Sequence, residues 1–152
     1  MIGFNVENTL SENGGVSRGL CEVSQEGDLT GVVECHGIQR KDGKLIHEVD
    51  GKEELFPEGA AVSMNMWGFT PDYFDYSMKS FLNFLEKNHD ELKAEFYIPT
   101  VVNELIEDNK IKLKVLPTPS KWFGVTYAAD RPATVAQFQK LVDEGVYPKK
   151  LF

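Results

Sequence analysis

Two polar residues stand where a buried strand would otherwise be apolar. Glu34 sits late in the run Val32-Val33-Glu34-Cys35, and Asn65 interrupts Met64-Asn65-Met66-Trp67. An isolated buried charge is costly, so Glu34 either faces an edge or is held over a pocket to accept hydrogen bonds from hydroxyls. An amide donates and accepts at once, which suits Asn65 to a pair of sugar hydroxyls. It would equally satisfy backbone groups at a strand end or in a loop. Gly14-Gly15-Val16-Ser17-Arg18-Gly19 is the most loop-like glycine cluster, and its backbone N–H groups could approach a phosphate. It lacks the Gly-Lys-Ser/Thr ending of a P-loop and also reads as a surface connection before a strand. Lys121-Trp122-Phe123-Gly124-Val125-Thr126 joins a cation to an aromatic strand, or is simply a core Trp beside an exposed Lys. Glu95, Asn103 and Glu104 fall in helical context, with Glu104 reading as a solvated face residue. His36, His47 and His89 are scattered, so no metal-ligand spacing is present. Cys21 and Cys35 could approach each other across a hairpin centred on Glu26-Gly27-Asp28, and they read as buried thiols.

The elements that must position these groups divide the chain into a β half and a helical half. Ile2–Val6 is a short apolar strand and Glu7–Ser17 is turn-rich. Gly19–Val23 and Leu29–Cys35 flank a Glu-Gly-Asp turn; Ile38–Arg40 and Lys44–Val49 flank Lys-Asp-Gly. Asp50–Gly59 reads as polar loop. Ala60–Phe69 is continuous enough in apolar content for a sheet-centre strand. Thr70-Pro71-Asp72 starts a helix, with Thr at the N-cap and Pro at the first helical position. Ser77–Asn88 carries Phe81, Leu82, Phe84 and Leu85 at helical spacing, and His89–Glu95 continues it. Ile98–Glu107 places Ile98, Val101, Val102, Leu105 and Ile106 on one stripe. Ile111–Leu116 alternates as a half-buried strand, Pro117–Ser120 is loop, and Trp122–Thr126 is a short strand. Pro132–Glu144 is an amphipathic helix, and Tyr147–Phe152 is a tail whose aromatics should dock. Hairpins in one half and helices in the other imply an α/β or α+β domain.

The 152 residues suffice for one domain with a sizeable core. Hydrophobic residues are 41% of the chain, which makes it globular. A net charge of -8 provides no basic field for a phosphate backbone, which argues against a nucleic-acid or anionic-membrane partner. No apolar run approaches about 18 residues, and the first residues lack a signal-peptide pattern. A cytoplasmic protein is expected.

The order of Asn8-Thr-Leu-Ser-Glu-Asn13, Arg18-Gly19, Val32-Val33-Glu34, Val62–Phe69, Glu95-Phe-Tyr-Ile-Pro-Thr100 and Lys121–Tyr127 resembles the C-terminal part of bacterial nucleotidyltransferases of the NTP-transferase family. That group acts on sugar phosphates and includes choline-phosphate cytidylyltransferase-like proteins. The resemblance spans nearly the whole chain and rests on order and spacing. It implies a partial Rossmann-like mixed sheet of the nucleotide-diphospho-sugar transferase type, with flanking helices and a hairpin-rich N-terminal half. Residues 1–152 would be a single domain, the acceptor-binding portion of the enzyme. The family reaction joins an NTP to a phosphorylated small molecule and releases pyrophosphate, with magnesium as cofactor.

Carried over residue by residue, Gly19 matches a glycine that lets the backbone approach the sugar. Glu34 matches a glutamate that accepts sugar hydroxyls, although Cys35-His36 stands where Lys-Pro usually follows. Asn65 matches an Asn of the pocket strand, and Lys121 is a further substrate-binding candidate. Trp122 matches a Trp that precedes a magnesium-binding Asp by two residues. Here that position is Gly124, which leaves Asp130 as the candidate metal ligand.

Nothing in the chain matches the family's Leu-x-Ala-Gly-x-Gly-x-Arg loop or its first metal Asp. The resemblance therefore implies the acceptor half alone, a fragment or a shortened relative, inactive or nearly so by itself. The NTP would bind only with an N-terminal half. The alternative is a non-catalytic small-ligand-binding or assembly module, with a homodimer formed through open sheet edges. A phosphocholine acceptor would ask for an aromatic box, which Trp67, Tyr73, Tyr97 and Trp122 could supply, or they are core.

Overall fold

The computed structural model describes residues 1–125 and 128–150. They fall into two compact units, the first running from Met1 to Pro119 and the second starting at Ser120. The first unit holds a mixed seven-stranded sheet. In chain order its strands are β1 (Ile2–Asn5), β2 (Val16–Val23), β3 (Leu29–Lys41), β4 (Lys44–Val49), β5 (Lys52–Leu55), β6 (Ala61–Ser63) and β7 (Leu116–Thr118). Their spatial order is β5-β4-β3-β2-β6-β1-β7. Only β1 and β7 run parallel; the other neighbours are antiparallel. Helices α1 (Tyr73–Asn88) and α2 (Ile98–Glu107) belong to this unit, and α3 (Arg131–Asp143) belongs to the second.

Alternation along the strands sends side chains to two separate cores. Cys21, Leu29 and Val32 pack with Val102 of α2 and with Leu113 and Val115 on one face. Cys35, Ile38, Leu45, Phe56 and Val62 pack with Val6 on the other. The two thiols therefore lie in different cores, buried and unbridged. Burial pushes the Cys21 thiol from about 9 up to about 11, with the nearby amino-terminal ammonium opposing the shift. An unfolded chain would release that proton earlier, so the folded state binds more protons between these values and loses stability as pH rises. Denaturant midpoints are expected to fall between pH 9 and about 11, and a Cys21→Ala variant should lose most of that slope. A slope unchanged by the substitution would show that Cys21 is not its source.

The stripe of α2 lies where its spacing predicts. Val101, Val102 and Leu105 are buried, and Pro99 occupies the first turn. Several other elements differ from expectation, each for a local reason. Leu29–Cys35 and Ile38–Arg40 are one bent strand, which turns at Gly37 (φ 65°) where the β3–β4 register shifts. Asp50–Gly59 contains β5, an edge strand whose four residues are all exposed, so no apolar alternation announced it. β6 stops at Ser63 rather than Phe69 because Asn65 adopts φ 57°, a left-handed conformation that ends the extended chain.

Residues 89–95 are not helical: no apolar stripe holds them to the sheet, and Leu92 is fully exposed. In α1 the helix starts at Tyr73, after a turn in which the Thr70 carbonyl accepts from the Tyr73 N–H. Leu113 and Val115 bury as their alternation predicts. They bond to Leu29 and Gly27 singly, and the ladder strand comes later at Leu116–Thr118. Residues 122–125 form no strand; the Trp122 ring instead lies over Gly124, whose missing Cβ would sit 2.9 Å from it. Thr126 lies outside the described residues, as do Leu151 and Phe152 of the expected docking tail. Within that tail the Tyr147 ring lies 6.4 Å from Phe138.

Candidate functional site

Strand register assembles the site. Gly19 of β2 lies directly opposite Glu34 of β3 on one side and Ser63 of β6 on the other. Residues opposite one another share a face, so Glu34 and Ser63 project together, on the face that α2 covers. Gly19 leaves a gap between them. A Cβ there would stand 2.7 Å from Val32 Cγ1, 3.3 Å from Ser63 Cβ and 3.7 Å from Glu34 Oε2. The gap opens into a cleft of about 120 Å³ whose lining includes Gly19, Glu34, Ser63, Asn65 and Pro99. Three of the five residues singled out in the sequence thus converge here.

Asn65 enters the cleft through its left-handed turn. Its backbone N–H donates to Ser63 Oγ at 3.1 Å, and its side-chain oxygen accepts from Trp67 Nε1 at 3.3 Å. Asn is among the few residues that tolerate this backbone region at small cost. Ser63 is 6% exposed and ties the turn to the sheet. The Arg18 guanidinium donates to the carbonyls of Ser17 and Thr9. Burial lowers its pKa, and the Glu34 carboxylate opposes that shift. At the approach to α2, the Tyr97 hydroxyl donates to Glu95. That bond, with burial and the charges of Glu95 and Glu34, raises the Tyr97 pKa.

Lys121 and Asp130 lie in the second unit, Lys121 exposed and Asp130 at the N-terminus of α3. Among the described residues no three His, Cys, Asp or Glu side chains converge as a metal site. The magnesium centre that the resemblance implies is not assembled among the described residues. Among the described residues no helix is long and apolar enough to cross a membrane.

Ser63 and Pro99 escaped the sequence reading. Ser63 stands two residues before Asn65, and the strand period within the expected Ala60–Phe69 was the signal that could have put it beside Asn65. Pro99 comes from 80 residues beyond Gly19 in the chain, and only the fold joins them. Asn103 is a supporting residue of a different kind. Its amide accepts from Val32 N–H at 2.9 Å and donates to Val32 C=O at 2.8 Å. This replaces the strand partner that β3 lacks beside Glu34. Glu104 is exposed as expected, yet it accepts from Ser80 Oγ at 2.7 Å and so links α1 to α2. No family model matches the chain, and no curated protein matches it in sequence.

Proposed function

We propose that the first unit is the acceptor-binding part of a nucleotidyltransferase of the NTP-transferase type. Its ligand is a small phosphorylated molecule bearing hydroxyls, a sugar 1-phosphate in preference to phosphocholine. The observation that carries this reading is the row Glu34–Gly19–Ser63, which sets a carboxylate and a hydroxyl on either side of a residue with no side chain. A carboxylate over an open backbone floor accepts hydroxyl hydrogen bonds, while the glycine admits the ring. The support from the fold is at the level of class, a mixed sheet combined with helices, since only β1 and β7 are parallel. In the family reaction an oxygen of the acceptor phosphate attacks the α-phosphorus of an NTP, and the bond to pyrophosphate breaks. The residues described here would bind and orient the acceptor only.

Titration of the chain with glucose 1-phosphate, followed by NMR, tests the reading. Cleft resonances are expected to shift, and Glu34→Ala should weaken binding by roughly 10–100-fold, the value of a charge-assisted hydrogen bond. NTPs alone should leave the spectrum unchanged. Absence of any shift with sugar 1-phosphates would remove the reading.

A second reading, an assembly module, is favoured by α1. No residue of that helix is buried, and Phe74, Met78, Leu82 and Leu85 expose an apolar stripe. The sheet edges themselves are blunted. β5 exposes Lys52, Glu53 and Glu54, and β7 carries Pro117. Because the Leu116 N–H points to β1, the ring nitrogen of Pro117 faces outward and offers no donor. Association would therefore run through α1 rather than strand pairing. Sedimentation of the wild type against Leu82→Glu is expected to separate a self-associating form from a monomer if this reading holds.

A further inference from the structure

We infer that Trp67 is a positioning residue that fixes the polarity of the cleft, so that its ligand must present a hydrogen-bond acceptor to Asn65 and a hydroxyl donor to Glu34. This rests on the acceptor-binding reading and specifies the ligand class further. An indole N–H can only donate, so the Asn65 atom 3.3 Å from Trp67 Nε1 is the oxygen. The amide is thereby denied its usual ambiguity of orientation. Its Nδ2 has no hydrogen-bond partner among the described residues, and Asn65 is exposed at the cleft wall. The backbone is held as well, because Ser63 Oγ receives the Asn65 N–H. The two N–H donors of this lining residue are therefore left for a ligand, while Glu34, also in the lining, offers oxygen acceptors. A ligand matched to both walls carries an oxygen that accepts at Asn65 and a hydroxyl that donates at Glu34. A polyol phosphate has this pattern; phosphocholine can accept through its phosphate but has no alcohol hydroxyl to donate.

The test is an NMR titration of the full chain with glucose 1-phosphate and its monodeoxy and monodeoxyfluoro analogues. In the wild type, one deoxy analogue should bind about tenfold more weakly than the parent, as expected for one lost hydrogen bond. Fluorine at that same position accepts without donating and should recover part of the loss. Trp67→Phe keeps the ring that stacks on Phe69, 5.9 Å away, and removes only the donor. It should erase the discrimination at that position while leaving that at the Glu34-facing position intact. Loss of packing alone would weaken every analogue equally. Asn65→Asp is the second variant: it keeps an oxygen for Trp67 and replaces the donors by an acceptor. It should lose glucose 1-phosphate by more than tenfold. Unchanged discrimination in Trp67→Phe, or unchanged affinity in Asn65→Asp, overturns the inference while leaving the acceptor-binding reading in place. A wild type that binds no sugar 1-phosphate overturns that reading and this inference together.

Discussion

Asn103→Ala is expected to destabilise the chain by about 2–4 kcal/mol, because it strips both hydrogen bonds from one buried residue of β3. Val32 is 4% exposed, so water cannot readily replace the lost partners. β3 pairs with β2 along this stretch, but β4 joins it only from His36 onward. The Asn103 amide fills that gap with an acceptor and a donor at 2.9 and 2.8 Å. For a domain of this size the cost corresponds to a melting temperature lower by roughly 5–12 °C. Asn103→Asp should recover part of the loss, since it keeps the acceptor for Val32 N–H and abandons the carbonyl. A thermal scan in which Asn103→Ala melts with the wild type would show that the clamp contributes nothing. The clamp also sits two residues before Glu34, so the variant should loosen the site it supports.

Gly19→Ala is the second substitution with a large expected effect, and it acts on site and core at once. The new methyl would stand 2.7 Å from Val32 Cγ1, closer than carbon atoms pack, and Val32 is a stiff β-branched residue in the core. Overpacking of this kind costs about 1–3 kcal/mol. The same methyl occupies the floor between Glu34 and Ser63, so glucose 1-phosphate binding should fall at least tenfold even where the fold survives, by analogy with one lost close contact. Comparison with Gly31→Ala separates the two effects. There the nearest atom is Glu22 Oε2 at 3.1 Å, the end of a flexible side chain away from the cleft. Gly31→Ala should bind normally, and equal binding by Gly19→Ala would mean that the cleft is not the ligand site.

Residue types and spacing in the sequence were enough to read α2, the Asp42-Gly43 hairpin and the burial of Leu113 and Val115. Each rests on short-range rules: a helical stripe, a turn dipeptide with positive φ, and period-two alternation. They were also enough to single out Gly19, Glu34 and Asn65 as polar or side-chain-free positions in apolar surroundings. They could not show β5, whose exposed Lys-Glu-Glu-Leu carries no apolar signal, nor the early end of β6, which depends on one left-handed residue.

What tertiary structure alone decided is the company those residues keep. Opposition of Glu34, Gly19 and Ser63 is a matter of strand register across β3, β2 and β6, set by one hairpin pairing and by the pairing of β2 with β6, whose Gly19 and Ser63 lie far apart in the chain. The grip of Asn103 on Val32 likewise depends on where α2 lands, whereas the hold of Trp67 on Asn65, two residues away, belongs to the local turn. Local sequence determined which groups could do chemistry. Only long-range pairing, whose free energy belongs to two distant segments at once, determined which of them meet.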